Sequence, residues 1–381
     1  MPDLLRYCEA EQPWLRELVD SLVRLESPSD NKSAVDRCGD ELARRLAALG
    51  ASVERFPQSL RGAHVRAEFA GAADASVLLL GHFDTVWPVG TIASMPLHER
   101  DGRLHGPGIF DMKAGIAAAA LAVRALAAAG RRAPRVVMVW TSDEEIGSGT
   151  SRALLEHEAR ESAAVLVLEP SLPGGAAKTS RKGVAVYTVT VHGVAAHAGL
   201  DPGKGASAIH ELARQVLALS ALQDLASGIT VNVGTITGGT RANVVAERAS
   251  AQVDVRVPTI ADADRIDAAI RALEPAHPLA RLEIAGGIDR PPLERTDAVL
   301  RLYEQARRAA ACLGRDLAEG PAGGGSDGNF TAALGVPTLD GLGPAGDGAH
   351  AQHEHVVVAD LAWRAAFIAE LIGSFASPGE R

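Results

Sequence analysis

Between Val77 and Glu145, apolar runs stop again and again at a histidine or a carboxylate, and this pattern limits the chain more than any other. Val77-Leu78-Leu79-Leu80 reads as a buried strand and runs into Gly81-His82-Phe83-Asp84-Thr85. The stretch Gly106–Gly115, which contains Asp111, opens an alanine-rich helical run, and Val136–Trp140 reads as a second buried strand that ends in Thr141-Ser142-Asp143-Glu144-Glu145. Ligands in open α/β sheets bind beyond the carboxyl ends of the strands. These groups are therefore expected to converge.

In chain order, two amphipathic helices (13–26 and 33–49) precede strands near 51–56 and 63–69. Strands and helices then alternate to about Thr179, with helices at 113–129 and 150–160 and a strand at 165–168, which predicts crossover units in a mainly parallel sheet. Val184–Val191 instead alternates apolar and polar residues, as a strand with one wet face does. A helix follows at 206–222, with Ile209, Leu212, Val216 and Leu219 on one stripe. Strands at 229–236, 249–257 and 281–285 and a helix at 261–273 complete a small α+β insert. Helices at 297–313 and 359–375, a strand at 336–340 and a glycine-rich loop from Gly320 to Gly348 resume the first pattern. The expected architecture is α/β: a doubly wound, mainly parallel catalytic domain (1–179 and 291–381) carrying an inserted α+β sandwich (180–290).

A formal net charge of −9 argues against nucleic acid or an anionic membrane as partner. No apolar run approaches the ~20 residues of a membrane span. Met1–Glu9 carries acids where a secretory signal needs a basic segment followed by an apolar one. Cys8, Cys38 and Cys312 follow no paired or ligand spacing, which suits a reduced, cytoplasmic protein.

The chemical inventory is His82, Asp84, Asp111, Glu144, Glu145, Glu169 and a histidine in Gly348-Ala349-His350-Ala351-Gln352-His353-Glu354. Two imidazoles and several carboxylates, with no thiolate, suit a catalytic zinc site rather than a structural one. One carboxylate beyond the need of a single zinc points to a bridged pair, roughly 3.5–4 Å apart. A bend at Glu144-Glu145 could turn both side chains inward, one to ligate and one to handle the proton of the attacking water. Asp84 is placed to hold the far nitrogen of His82 and fix its tautomer.

Six ordered motifs resemble the co-catalytic zinc exopeptidases, the family of aminoacylase, acetylornithine deacetylase, succinyl-diaminopimelate desuccinylase and glutamate carboxypeptidase, and they are most similar to the last branch. The motifs are Gly81–Val86, Gly106–Gly115, Ser142–Ser148, Glu169-Pro170, Ala195–Gly199 and Gly323–Asp327. The resemblance implies two zinc ions per subunit. In it His82 binds one, Asp111 bridges both, Glu145 and Glu169 bind one each, and a late histidine completes the second. The family ending of His, three residues and Glu selects His350 with Glu354, and His353 is the alternative. Glu144 would be the general base, and Asp111-Met112 would have a cis peptide. His197 would reach the active site of a partner subunit and stabilise the oxyanion, which implies a homodimer through the insert. Asn243, Arg290, Gly325 and Ser326 match substrate-contacting positions.

A lone His-x-Asp or Glu-Glu is more often a surface turn than a metal site, and the order of the motifs is what decides. His64, His98, His105, His157, His192, His210 and His277 read as ordinary surface or helix residues, and His353 and His355 as solvated loop residues once His350 is chosen. Asp143 reads as a cap or as a group that supports the neighbouring ligands from behind. Arg181 and Lys182 are a solvated strand entrance or a cation pair for an acidic substrate, and Arg256 is an ion pair with Asp254. The glycine-rich 320s follow no clear strand and lack the Lys-Ser/Thr of a phosphate loop. The expected activity is hydrolysis of the amide of a small N-acyl amino acid or dipeptide with a free α-carboxylate. Deacylation of an acylated amino acid is the alternative, and a silent binding protein of the same fold is the reading from another class.

Overall fold

The apolar runs become strands that are buried on both faces. Ser76–His82 and Ala164–Val167 are buried along their whole length, and Arg135–Thr141 nearly so. They run parallel, with Leu80 opposite Val139 and Val77 opposite Ala164. Thr338–Leu339 adds a parallel edge, while His64–Phe69 and Ser52–Phe56 extend the other edge antiparallel. The result is a six-stranded, mainly parallel α/β sheet in a computed structural model that describes residues 3–71 and 75–376.

The two-residue period of a strand divides its side chains between two cores. Val77, Leu79 and Met138 join one core with helices Gln12–Arg24, Lys32–Ala48, Ala114–Ala128 and Val358–Gly373. Leu78, Leu80, Val137 and Val139 join the other, with Leu155 and Ala159 of Arg152–Arg160 and with Phe330. Each fully buried aliphatic side chain contributes about 1.5–3 kcal/mol. Helices on both faces make the sheet doubly wound. Ala114–Ala128 is apolar nearly all round, and it lies close to the sheet because Gly115 has no Cβ: one added there would sit 2.3 Å from the Leu168 carbonyl oxygen.

The chain divides into two compact units. One comprises Met1–Ser180, Arg295–Ala322 and Ser326–Arg381, and the other Arg181–Glu294 with Gly323–Gly325. The second unit is a four-stranded antiparallel sheet in the order Thr230–Gly238, Arg248–Val257, Gly183–His192, Arg281–Arg290. Helices Ala208–Ser220 and Ile260–Arg271 cover one face, where Tyr187, Val189, Val191, Val253 and Val255 point inward.

Several elements differ from expectation. The stripe on Ala208–Ser220 does not include Ile209, which is exposed, and the buried Ala208 makes the contact one residue earlier. The strand at 281 runs on to Arg290. Gly286-Gly287 looks like a break in the sequence, but a Cβ on Gly286 would lie 2.1 Å from the Val186 carbonyl oxygen, so glycine is what lets the strands pair there. Of the expected 336–340 strand, Thr338–Leu339 joins the sheet and Asp340 makes an isolated antiparallel bridge to Lys178. Helix Leu4–Ala10 precedes the first expected helix. The glycine loop does follow a strand, Glu319–Ala322, and leads into the short helix Gly328–Ala333. Finally, three-residue strands His98–Arg100, Arg103–His105 and His355–Val357 form a small sheet with Gly346–Asp347.

Candidate metal centre

Each strand end delivers its group to one place. His82 is the last residue of Ser76–His82, and Glu169 lies just beyond Ala164–Val167. Glu144 and Glu145 sit on one 3-10 turn after Arg135–Thr141, closed by Gly147 at φ 99°. Asp111 occupies a kinked turn with φ −113° and ψ 90°, ahead of a cis peptide to Met112.

The two oxygens of Asp111 face different partners. Oδ1 lies 3.1 Å from His82 Nε2, which is 3.5 Å from Glu169 Oε1. Oδ2 lies 3.3 Å from His350 Nε2, which is 3.1 Å from Glu145 Oε1. His82, Asp111 and Glu145 each offer a ligand atom within 4.8 Å of the others. Asp111 thus stands between two imidazole–carboxylate sets.

Electrostatics match that geometry. Burial opposes protonation of His82, yet hydrogen bonds to Asp111, Asp84 and Glu169 raise its pKa well above the ordinary value. Asp111 and Glu145 hold that of His350 up at about 10. Burial works against the Asp111 carboxylate, but hydrogen bonds from His350 and His82 outweigh it and push its pKa below the usual range. Burial raises the pKa of Glu145. A site that draws positive charge to both imidazoles has the donor chemistry for divalent cations, and nitrogen and oxygen donors without thiolate fit zinc.

Asp84 holds the centre differently from expectation. The Nδ1 of His82 meets the Asp84 backbone carbonyl at 3.0 Å, while the nearest carboxylate oxygen is 3.5 Å away. Donation to that carbonyl leaves Nε2 free to ligate. The Asp84 carboxylate instead accepts from Glu144 N (3.3 Å), Glu145 N (3.2 Å) and Ser29 Oγ (2.6 Å).

The sequence profile of Peptidase family M20/M25/M40 matches residues 78–374. The chain belongs to this family. It is 28% identical to carboxypeptidase G2 of Pseudomonas sp. (strain RS-16) over 95% of this chain and 89% of that protein. It is 32% identical to succinyl-diaminopimelate desuccinylase of Acidovorax ebreus, covering 85% of this chain and 89% of that one. The solved structure of aminopeptidase PepT from Bacillus cereus superposes with a TM-score of 0.80, at 24% identity over 96% of this chain and 99% of that one. That of Bacillus subtilis YXEP, described as a dinuclear metal-binding peptidase, gives 0.70 at 16% identity over 97% and 99%. This M20 chain is therefore a metal-dependent hydrolase of small molecules, and no helix among its described residues is long and apolar enough to cross a membrane.

The other expected site residues lie in the second unit or at its border. His197 and Asn243 come together where two loops pair: Ala198 N donates to Asn243 O at 3.0 Å, and His197 bridges to Val244. The Nδ1 of His197 accepts from Gly199 N and Leu200 N, both at 3.1 Å, so the neutral ring carries its proton on Nε2. Arg290 is buried at the end of its strand. Gly325 O and Gly324 O accept from the Arg181 guanidinium, so Arg181 is a buried clamp on the glycine loop and not a solvated entrance. The side chain of Ser326 is fully buried: its hydroxyl donates to Asp340 Oδ2 at 2.6 Å and accepts from Gly328 N.

Sequence reasoning missed three groups. His64 is buried, with Nδ1 accepting from Ser142 N (3.3 Å) and Nε2 against Thr150 Oγ1 (3.0 Å). Thr150 in turn donates twice to Asp143 Oδ2, so the Asp143 carboxylate ties the two ends of this loop together and does not cap its own turn. His355 is not a solvated loop residue: it is buried in a strand beside His105, with ring centroids 5.0 Å apart, and His105 stacks on His98. Glu354 is fully buried against the turn that carries Asp111. A fixed spacing after His350 was its one signal. Arg256 pairs with Asp254 as anticipated.

Proposed function

We propose that this enzyme is a dinuclear zinc amidohydrolase that releases the amino acid from a small N-acyl amino acid or dipeptide with a free α-carboxylate. The observation that carries the reading is Asp111, whose two oxygens address His82 with Glu169 on one side and His350 with Glu145 on the other. These five residues would hold the two ions. When bound, zinc supplies a Lewis acid for the amide carbonyl and an acidified water.

The chain's own groups then have distinct tasks. The Glu144 carboxylate takes a proton from the attacking water and returns it to the leaving nitrogen. Its turn is anchored to Asp84 through Glu144 N and Glu145 N, so base and ligand are aimed together. His197, with Nε2–H available, donates to the developing oxyanion. The Arg290 guanidinium matches the α-carboxylate with paired hydrogen bonds, and Asn243 and the Gly325 backbone line the substrate. A homodimer formed through the 181–294 unit would bring His197 in from the partner. Exposed Leu200 and Ile236 and the open edge of Thr230–Gly238 support that arrangement. Buried Cys8 and free Cys38 suit a reducing cytoplasm.

The likeness to carboxypeptidase G2 favours release of a carboxy-terminal amino acid, and that to the succinyl-diaminopimelate desuccinylases favours removal of an acyl group from a diamino acid. Metal content by mass spectrometry, with hydrolysis of N-acyl glutamates and N-acyl neutral and basic amino acids before and after chelation, decides. About two zinc per subunit with activity lost on chelation and restored by zinc is expected. Full activity after complete metal removal would overturn the mechanism, and two zinc with no hydrolysis of any amide would favour the silent binding protein.

A further inference from the structure

Glu354 accepts four hydrogen bonds on a fully buried carboxylate. Oε1 takes Phe110 N at 2.9 Å and Asp111 N at 3.1 Å, and Oε2 takes Gly108 N at 2.9 Å and Trp87 Nε1 at 2.8 Å. A buried carboxylate is tolerated only when its lone pairs are met, and here three of the donors are amides of the one turn that aims Asp111. That turn has little else regular about it: Gly108 has φ 69°, and Asp111 and Met112 lie outside helical φ/ψ.

The same residue closes the loop that carries His350. Ala351 N donates to Gly348 O and Glu354 N to Ala351 O, at 2.8 and 2.9 Å, while Gly348 and His350 take φ 83° and 61°. A left-handed histidine is strained and persists where its surroundings fix it. Glu354 thus ties the Asp111 turn to the His350 loop with one side chain. By contrast, His82 ends a central strand of the six-stranded sheet and Glu169 follows its neighbour. Three of the five groups, His82, Glu169 and Glu145, therefore end or follow central strands of the sheet, and among them and His350 it is His350 alone that sits on a loop that leans on Glu354.

On the dinuclear reading above, we infer that Glu354 is the positioning residue for the His350–Glu145 side of the centre, and that it sets the affinity for the second metal ion while leaving the His82–Glu169 side largely alone.

The test is zinc titration of apoprotein by calorimetry, with cobalt absorption spectra as a signature of ligand geometry, on wild type, E354Q, E354D and H350A. Wild type should show two uptake steps, and H350A identifies the one that depends on His350. E354Q, equal in size but bringing an amide NH2 against backbone N–H groups, should weaken that step about 10–100-fold and keep the other within about threefold. E354D, which keeps the charge but is too short to reach every amide, should fall between. Two steps as in wild type, or both weakened in parallel, would overturn the inference. If E354Q does not fold, E354D decides by the same criterion. A wild type that takes up fewer than two ions would instead refute the dinuclear reading itself.

Discussion

At the scale of single residues, the proposed mechanism assigns ligation and proton transfer to different groups. Glu144 and Glu145 share one turn and one anchor in Asp84, yet Glu145 meets His350 at 3.1 Å. E144Q should therefore lower kcat by about 10²–10⁴-fold with zinc content nearly unchanged, as assay and metal analysis of one preparation would check. Loss of zinc in that variant would mean that the two glutamates have exchanged roles. His350 and His353 are distinguished in the same way: H350A should lose one ion, whereas H353A, whose ring is exposed and lies 3.8 Å from Asp347, should keep both.

At the scale of elements, the 142–150 loop that carries both glutamates is pinned at each end by one imidazole. His64 enters from the edge strand His64–Phe69 and meets Ser142 and Thr150, and burial lowers its pKa below 6.5. H64A leaves Ser142 N and Thr150 Oγ1 without that partner, and a loss of about 1–3 kcal/mol is expected by urea unfolding. The sign of the pH dependence follows from linkage. A histidine whose folded pKa is depressed binds its proton more readily in the unfolded chain. Its contribution is intact above about pH 6.5, the unfolded value, and stability falls as the pH drops from there towards the folded pKa. H64Q should flatten that part of the profile. An unchanged slope in H64Q would assign the acid sensitivity to other groups.

At the scale of the whole molecule, ions bound to the folded chain alone would raise its melting temperature, so chelation should lower it and zinc restore it in a concentration-dependent way. If His197 acts across a dimer, E144Q and H197A subunits, each inactive alone, should regain activity when mixed by unfolding and refolding together. Random pairing leaves one complete site in half of the dimers, so roughly a quarter of wild-type activity is expected. No recovery would place His197 in its own subunit's site. Much of this was legible in the sequence, because strands buried on both faces must be continuous apolar runs, and a chain that leaves a sheet must place its next polar residues at the sheet's end. That pattern made His82, the Glu144-Glu145 pair and Glu169 candidates and gave the α/β class and the change to one wet face after Gly183, while Asp111 was a candidate as the acid ahead of the alanine-rich helix and the sorting of roles came from the resemblance. What the tertiary structure decided were contacts between segments far apart in the chain. Strands of three residues have no readable period, yet they bring His355 beside His105 and Glu354 beneath Asp111. Ser326 matches a substrate-contacting position of the family, and only the folded chain shows that its hydroxyl is engaged by Asp340. Sequence periodicity reports which face of an element is buried, whereas the partner of a buried polar group depends on packing between elements, and only the folded chain specifies that.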